Sequence, residues 1–396
     1  MKQISDLALN LKGSIIREMH TAAAGMTDVL NFTVGEPDFV TPRPIIERAF
    51  QSLNEGKTFY SQNRGILLLR KAIAEYHTNN PSAPLNPDPN TEILITIGAT
   101  EALQLALLAC INPGDEVIAL TPCWPNYLNM IKVAGGIPVC VPGYEENGFS
   151  PNPEDIEAAI TNKTKMIMIN SPSNPTGCVI PKETIAQIAA IIEKYDLFAI
   201  TDEVYRTIVF DNQEAASLTV YPEIKDNLIY INSFSKMFAM TGCLVCYTIA
   251  NELLIDRMTK LHQNVANSIF VPAQEACITA LEECIPDTVK MQESYEKRRN
   301  IIYSGINDIK GLSCEKPGGA FYVFVNLSEF GMGSKEFCLK ILDEIKTVTV
   351  PGIGFGPSTE KLNLDHYVRI SYATSEENIN EFLNRLDGFS NKFFSK

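Results

Sequence analysis

The chain has 396 residues, 45% hydrophobic and 20% charged, with a formal net charge of −14. That is ordinary globular composition, long enough for two or three domain-sized units and a large buried core. The acidic balance disfavours phosphate backbones and anionic membrane surfaces, so neither nucleic acid nor a membrane is an expected partner.

The N-terminal residues Met1 to Asp6 are polar, with no apolar leader, and no apolar run approaches the roughly 18 residues a membrane span needs. Ten cysteines are scattered along the chain without the paired spacing of a structural metal site, so no metal is expected. Cys243 and Cys246 form a CxxC, but in an apolar run that reads as strand, so they are taken as two small core residues. Scattered thiols suggest a reducing compartment, and a cytoplasmic protein is expected.

In chain order, residues 92–98 read as a strand and 100–111 as a helix stopped by Asn112-Pro113-Gly114. A strand over 116–120 and a helix over 124–133 follow. Residues 165–170 form an apolar run suited to a strand buried on both faces. Ile185, Ile188, Ile191 and Ile192 recur at helical spacing over 181–195, with Pro181 suited to a first turn. Strands over 198–201, 228–232 and 244–249 complete the set. This alternation predicts an α/β fold with a mostly parallel sheet. The last hundred residues differ, with a helix over 294–306 and a strand pair over 320–325 and 367–372. They suggest a smaller α+β domain joined by the N-terminal segment.

Ligands in parallel sheets sit beyond the carboxyl ends of the strands, so polar residues there are the first site candidates. Lys236, in Ser233-Phe234-Ser235-Lys236, could form a Schiff base, with Ser233 and Ser235 donating to a phosphate. An ordinary loop lysine fits the same four residues. Asp202 could pair with a pyridinium nitrogen and Tyr205 with a ring oxygen, although a carboxylate at a strand end also caps turns. Gly98-Ala99-Thr100-Glu101 offers helix N-terminal amides to an anion, a common arrangement in α/β proteins. Asn174 could bind a ring oxygen or a carboxylate, or belong to a plain loop. Trp124 could stack on a planar ring or fill the core. Arg369, inside an apolar strand, suits either a carboxylate clamp or an internal salt bridge.

Taken in order, these segments resemble the class I/II aminotransferases, fold type I of the pyridoxal-phosphate (PLP) enzymes, and among them the bacterial aspartate-type enzymes. The resemblance runs from Gly35-Glu36-Pro37-Asp38-Phe39 and Lys57-Thr58-Phe59-Tyr60 through Asn174-Pro175-Thr176-Gly177, Asp202-Glu203-Val204-Tyr205 and Ser233-Phe234-Ser235-Lys236. It continues through Gly318-Gly319-Ala320-Phe321-Tyr322 and Val350-Pro351-Gly352 to Val368-Arg369-Ile370-Ser371-Tyr372-Ala373.

The resemblance implies a large PLP-binding domain over 45–285 with a mostly parallel seven-stranded sheet, and a small α+β domain made of 1–44 with 286–396. It implies that Lys236 carries PLP and shuttles a proton, that Asp202 holds the pyridinium, and that Tyr205 and Asn174 bind its ring oxygen. Trp124 would stack on the ring and border the substrate. Ala99, Thr100, Ser233 and Ser235 would bind the phosphate. Tyr60 would reach the phosphate of a neighbouring subunit, in a homodimer with shared active sites. Gly35, Asn174 and Arg369 would hold the substrate α-carboxylate. The expected activity is amino transfer between an L-amino acid and a 2-oxo acid. The alternatives are a carbon–sulfur lyase or related β-eliminating enzyme and, from a different class, a cofactor-poor binding or regulatory protein.

One departure stands out. The family usually carries GWRIGY after its lysine, with the arginine on the phosphate. Here the stretch is Gly242-Cys243-Leu244-Val245-Cys246-Tyr247, and a leucine cannot neutralise a phosphate. No second arginine marks recognition of a side-chain carboxylate.

Overall fold

The structure is a computed structural model that describes residues 4–11, 13–80 and 83–395. Met1, Lys2 and Gln3 of the polar N-terminal segment lie outside the described residues. The first strand is the short β1 (Leu30–Asn31). Next come β2 (Ile93–Ile97), β3 (Glu116–Thr121), β4 (Ile137–Pro142), β5 (Thr164–Asn170), β6 (Phe198–Asp202), β7 (Leu228–Ser233) and β8 (Val245–Ile249). These seven form one sheet in the order β2-β8-β7-β6-β5-β3-β4. Only β8 runs against its neighbours. Every residue of β7 and β8 is buried, as expected of strands covered on both faces. This is an α/β fold built on a mostly parallel seven-stranded sheet, as the strand–helix alternation predicts.

Several elements differ from the sequence reading. Strand β4 has no counterpart in it, because Pro138 and Pro142 interrupt the apolar pattern; β4 lies at the sheet edge, where proline is tolerated. Leu244 is not part of β8. It takes a left-handed conformation with φ 52° after a short 3-10 turn, Thr241–Cys243, and is half exposed. Cys243 is exposed too, so only Cys246 of the CxxC is a core residue. The helix expected from Trp124 begins at Asn126, and the one expected over 294–306 is longer, Ile285–Asp308.

The C-terminal portion adds β9 (Ser313–Cys314), β10 (Tyr322–Asn326), β11 (Thr347–Val348), β12 (Val350–Pro351) and β13 (Tyr367–Ser371). Four of them form an antiparallel sheet in the order β12-β13-β10-β9, and β11 pairs in parallel with β1. The basic residues of the long helix serve the interior. Arg298 donates to Asp38 at 2.7 Å, and the fully buried Arg299 pairs with Asp211 at 2.9 Å. The first of these ties down the segment that carries Gly35. Among the described residues no helix is long and apolar enough to cross a membrane.

Candidate active site

A cavity of about 330 Å³ lies at the carboxyl ends of the parallel strands, with residues from the second sheet on its opposite wall. Strand β7 ends at Ser233, which also caps the short helix Phe234–Met237: its Oγ accepts from the Ser235 amide. That turn brings Lys236 into the cavity. Lys236 Nζ donates to the Gly35 carbonyl oxygen at 2.6 Å. Burial lowers its pKa to about 8, opposed by Glu36 and reinforced by Arg369. A usable fraction is therefore free amine near neutral pH, the form that attacks carbonyl carbon.

Asp202 closes β6 and is buried. Burial raises its carboxyl to about pH 6, against the Tyr127 hydroxyl, which donates to Oδ2 at 2.6 Å, and the Val204 amide, which donates to Oδ1 at 3.3 Å. Among the described residues no cation forms an ion pair with it, Lys236 acting only through its field, so the buried carboxylate can attract a positively charged group. Tyr205 follows on the next turn, and its hydroxyl lies 2.9 Å from that of Tyr322.

Arg369 enters from β13 and is fully buried. Nη1 donates to Asn174 Oδ1 at 3.0 Å and Nη2 to the Thr33 carbonyl oxygen at 2.5 Å, while Nε has no partner among the described residues. Among the described residues no carboxylate pairs with it, so the internal salt bridge is not formed, and a buried guanidinium so placed can receive an incoming carboxylate. Asn174 is itself held: its amide donates to Asn170 Oδ1 at 3.0 Å, and Asn170 Nδ2 donates to the Asp202 carbonyl oxygen at 3.0 Å.

The third wall is the start of the helix Gly98–Cys110. Gly98 has φ 68°, and no side chain caps the helix. The Gly98 amide is taken by the Leu244 carbonyl oxygen at 2.7 Å, and Ala99 and Thr100 line the cavity beyond it. With Ser233, Ser235 and Thr241 they offer amides and hydroxyls at a positive helix end, which suits an anion. Ser233 Oγ meanwhile donates to the Val245 carbonyl oxygen at 3.2 Å. Among the described residues lining the cavity, Lys236 and Arg369 are the only cations and Asp202 the only carboxylate.

A model of the aminotransferase class I and II family matches residues 27–386. The chain belongs to that family. It is 39% identical to the aspartate aminotransferase of Pyrococcus horikoshii, over 97% of this chain and 96% of that one. It is 36% identical to aromatic-amino-acid aminotransferase 2 of Thermococcus litoralis, over 97% of each. The crystal structure of the Thermus thermophilus aspartate aminotransferase with maleate superposes with a TM-score of 0.92 at 32% identity, covering 98% of this chain and all of that one.

In this aminotransferase the fold gathers Gly35, Ala99, Thr100, Trp124, Asn174, Asp202, Tyr205, Ser233, Ser235, Lys236 and Arg369 around one cavity. Tyr60 is not among them. It is highly exposed and lines a separate surface hollow with Phe59 and residues 268–271. Sequence reasoning gave no role to Tyr127, Tyr322, Asn170 or Ile16, all of which line the cavity. Tyr322 was visible only as the end of the Gly318–Tyr322 motif. Tyr127 lies one helical turn beyond Trp124, whose ring it meets edge-on at 5.5 Å.

Proposed function

We propose that this aminotransferase uses pyridoxal 5′-phosphate attached through Lys236, and moves an amino group from an L-amino acid to a 2-oxo acid. The observation that carries the reading is Lys236: an amine of lowered basicity in one cavity with an uncompensated carboxylate, Asp202, and an uncompensated guanidinium, Arg369. These groups fit the cofactor. Asp202 would hold a protonated ring nitrogen, Tyr205 and Asn174 the ring oxygen, and Trp124 a ring face. Ala99, Thr100, Ser233 and Ser235 would hold the phosphate.

Bound there, PLP would supply an electron sink for the pair left on the substrate Cα when its proton is removed. The chain does the rest. Arg369, with Asn174 and the Gly35 backbone, receives the α-carboxylate and orients the Cα–H bond. Lys236 Nζ, released from the cofactor by the substrate's amino group, would take the proton from Cα and return it at C4′. Asp202 would keep its negative charge toward the ring nitrogen, with Tyr127 holding the carboxylate in place.

The reading extends to the assembly. Tyr60 serves the phosphate of a second copy in a homodimer, which its exposure supports. We read residues 45–285 as the large domain and 1–44 with 286–396 as the small one, supported by the β1–β11 pairing. The composition and scattered free thiols support a cytoplasmic location.

The test is a spectral titration of the PLP-loaded protein with a panel of amino acids. Conversion to the pyridoxamine spectrum, reversed by a 2-oxo acid, is expected and ranks the donors. Release of pyruvate and ammonia from a cysteine derivative without 2-oxo acid would overturn the reading in favour of β-elimination.

A further inference from the structure

Tyr322 stands at the junction of three groups that the proposed chemistry uses. It is fully buried and opens β10. Its hydroxyl lies 2.9 Å from the Tyr205 hydroxyl. The guanidinium carbon of Arg369 lies 4.6 Å from its ring centroid. A Cβ at position 35 would collide with its hydroxyl, so the backbone of Gly35, whose carbonyl receives Lys236 Nζ, rests directly against it. The antiparallel register explains the placement. Tyr322 pairs with Ser371, so Tyr322 and Arg369 project from the same face, two positions apart.

We propose that Tyr322 is a positioning residue that sets the direction of the Tyr205 phenol proton. This rests on the PLP reading above. Each hydroxyl has one proton, and two hydroxyls in contact can share only one of them. If Tyr205 gives its proton to the anionic ring oxygen of the cofactor, its own oxygen must accept from Tyr322. The donors then run in one direction, Tyr322 to Tyr205 to the ring oxygen. A hydroxyl that accepts a hydrogen bond becomes a better donor, so Tyr322 strengthens the bond that Tyr205 makes. The ring of Tyr322 has the separate task of covering the Arg369 guanidinium. The titratable groups facing Tyr322 are Tyr205, Arg369, Tyr295 and Tyr372.

Tyr322→Phe separates the two tasks, because it keeps the ring and removes the hydroxyl. The readout is the pH midpoint of the bound cofactor's absorbance change in the holoenzyme. A donor on the ring oxygen withdraws negative charge that would otherwise favour the protonated lysine–cofactor nitrogen, so weakening the donor raises the midpoint. Tyr205→Phe, the control, raises it most. Tyr322→Phe is expected to raise it by roughly half a pH unit, and the double variant to match Tyr205→Phe alone, because Tyr322 acts through Tyr205. With the control shift present, an unmoved midpoint in Tyr322→Phe, or additive shifts in the double variant, overturns the inference and leaves the PLP reading standing. A protein that takes up no cofactor overturns both.

Discussion

Lys236 Nζ and the Gly35 carbonyl oxygen are 2.6 Å apart, joining the short helix after β7 to a segment 201 positions earlier. The contact gives the amine an acceptor in a cavity whose burial would otherwise favour the neutral form alone. It also sets the lysine beside the backbone that borders Arg369 and Tyr322. Two neighbouring contacts hold the segment in place: Thr41 Oγ1 donates to the Ala239 carbonyl oxygen at 2.6 Å, and Thr241 Oγ1 to Glu36 at 3.0 Å.

The lowered pKa of Lys236 makes the cofactor-free chain sensitive to pH. The folded value is about 8, against 10.5 for a free lysine. Below pH 8 both states are protonated and the folded state bears the full cost. Between 8 and 10.5 only the unfolded state keeps the proton, so the cost shrinks as pH rises. Lys236→Met is expected to stabilise the cofactor-free protein by roughly 1–2 kcal/mol at pH 7, with the gain gone above about pH 10.5. Denaturant unfolding of both proteins across that range measures it. A gain that does not vary with pH would contradict the assignment.

Asp202→Asn removes the charge while keeping the shape: its one amide oxygen can still accept from the Val204 amide, and its Nδ2 can donate to the Tyr127 oxygen. We expect an unchanged fold by circular dichroism and a fall in kcat on the order of 10²–10³-fold. Tyr127→Phe leaves the charge and removes one of its two donors, so its fall in kcat is smaller, about tenfold. Equal losses in the two variants would mean that the charge is not what Asp202 contributes.

Leu244 offers the phosphate no charge, and its half-exposed side chain leaves room for a longer one. Leu244→Arg keeps the same left-handed backbone and adds a guanidinium at the edge of the phosphate cradle. Equilibrium titration of the cofactor-free protein with PLP should show about tenfold tighter binding, with the gain shrinking as salt rises. An affinity unchanged or weakened would place the phosphate elsewhere.

Tyr60 tests the shared site. Lys236→Ala and Tyr60→Ala subunits, unfolded together and refolded, assemble at random, and half of the dimers contain one of each. Each mixed dimer has one intact site, so activity should return to about a quarter of wild type. Activity no higher than the sum of the parent variants would show that Tyr60 serves its own chain or none.

Much of this was legible in the chain, for local reasons. Strands such as β5 and β7 are short apolar runs ending in Asn170 and Ser233, and the polar residues that follow them are the site. What escaped depends on distance or on backbone shape. Tyr322 and Tyr127 matter through partners 117 and 75 positions away, which no periodicity encodes. Leu244 reads as one more apolar residue of a strand, yet it sits in a left-handed turn with its side chain half exposed. Strand β4 was hidden by its prolines, which an edge strand accommodates.

The proposed function turns on Lys236 as the residue that carries the cofactor. Loading the protein with PLP, reducing it with borohydride and mapping the peptides by mass locates the attachment directly. The peptide containing Lys236 should gain the mass of the reduced cofactor, and Lys236→Ala should show neither that gain nor the colour. Attachment at another lysine, or none under saturating PLP, would contradict that role for Lys236.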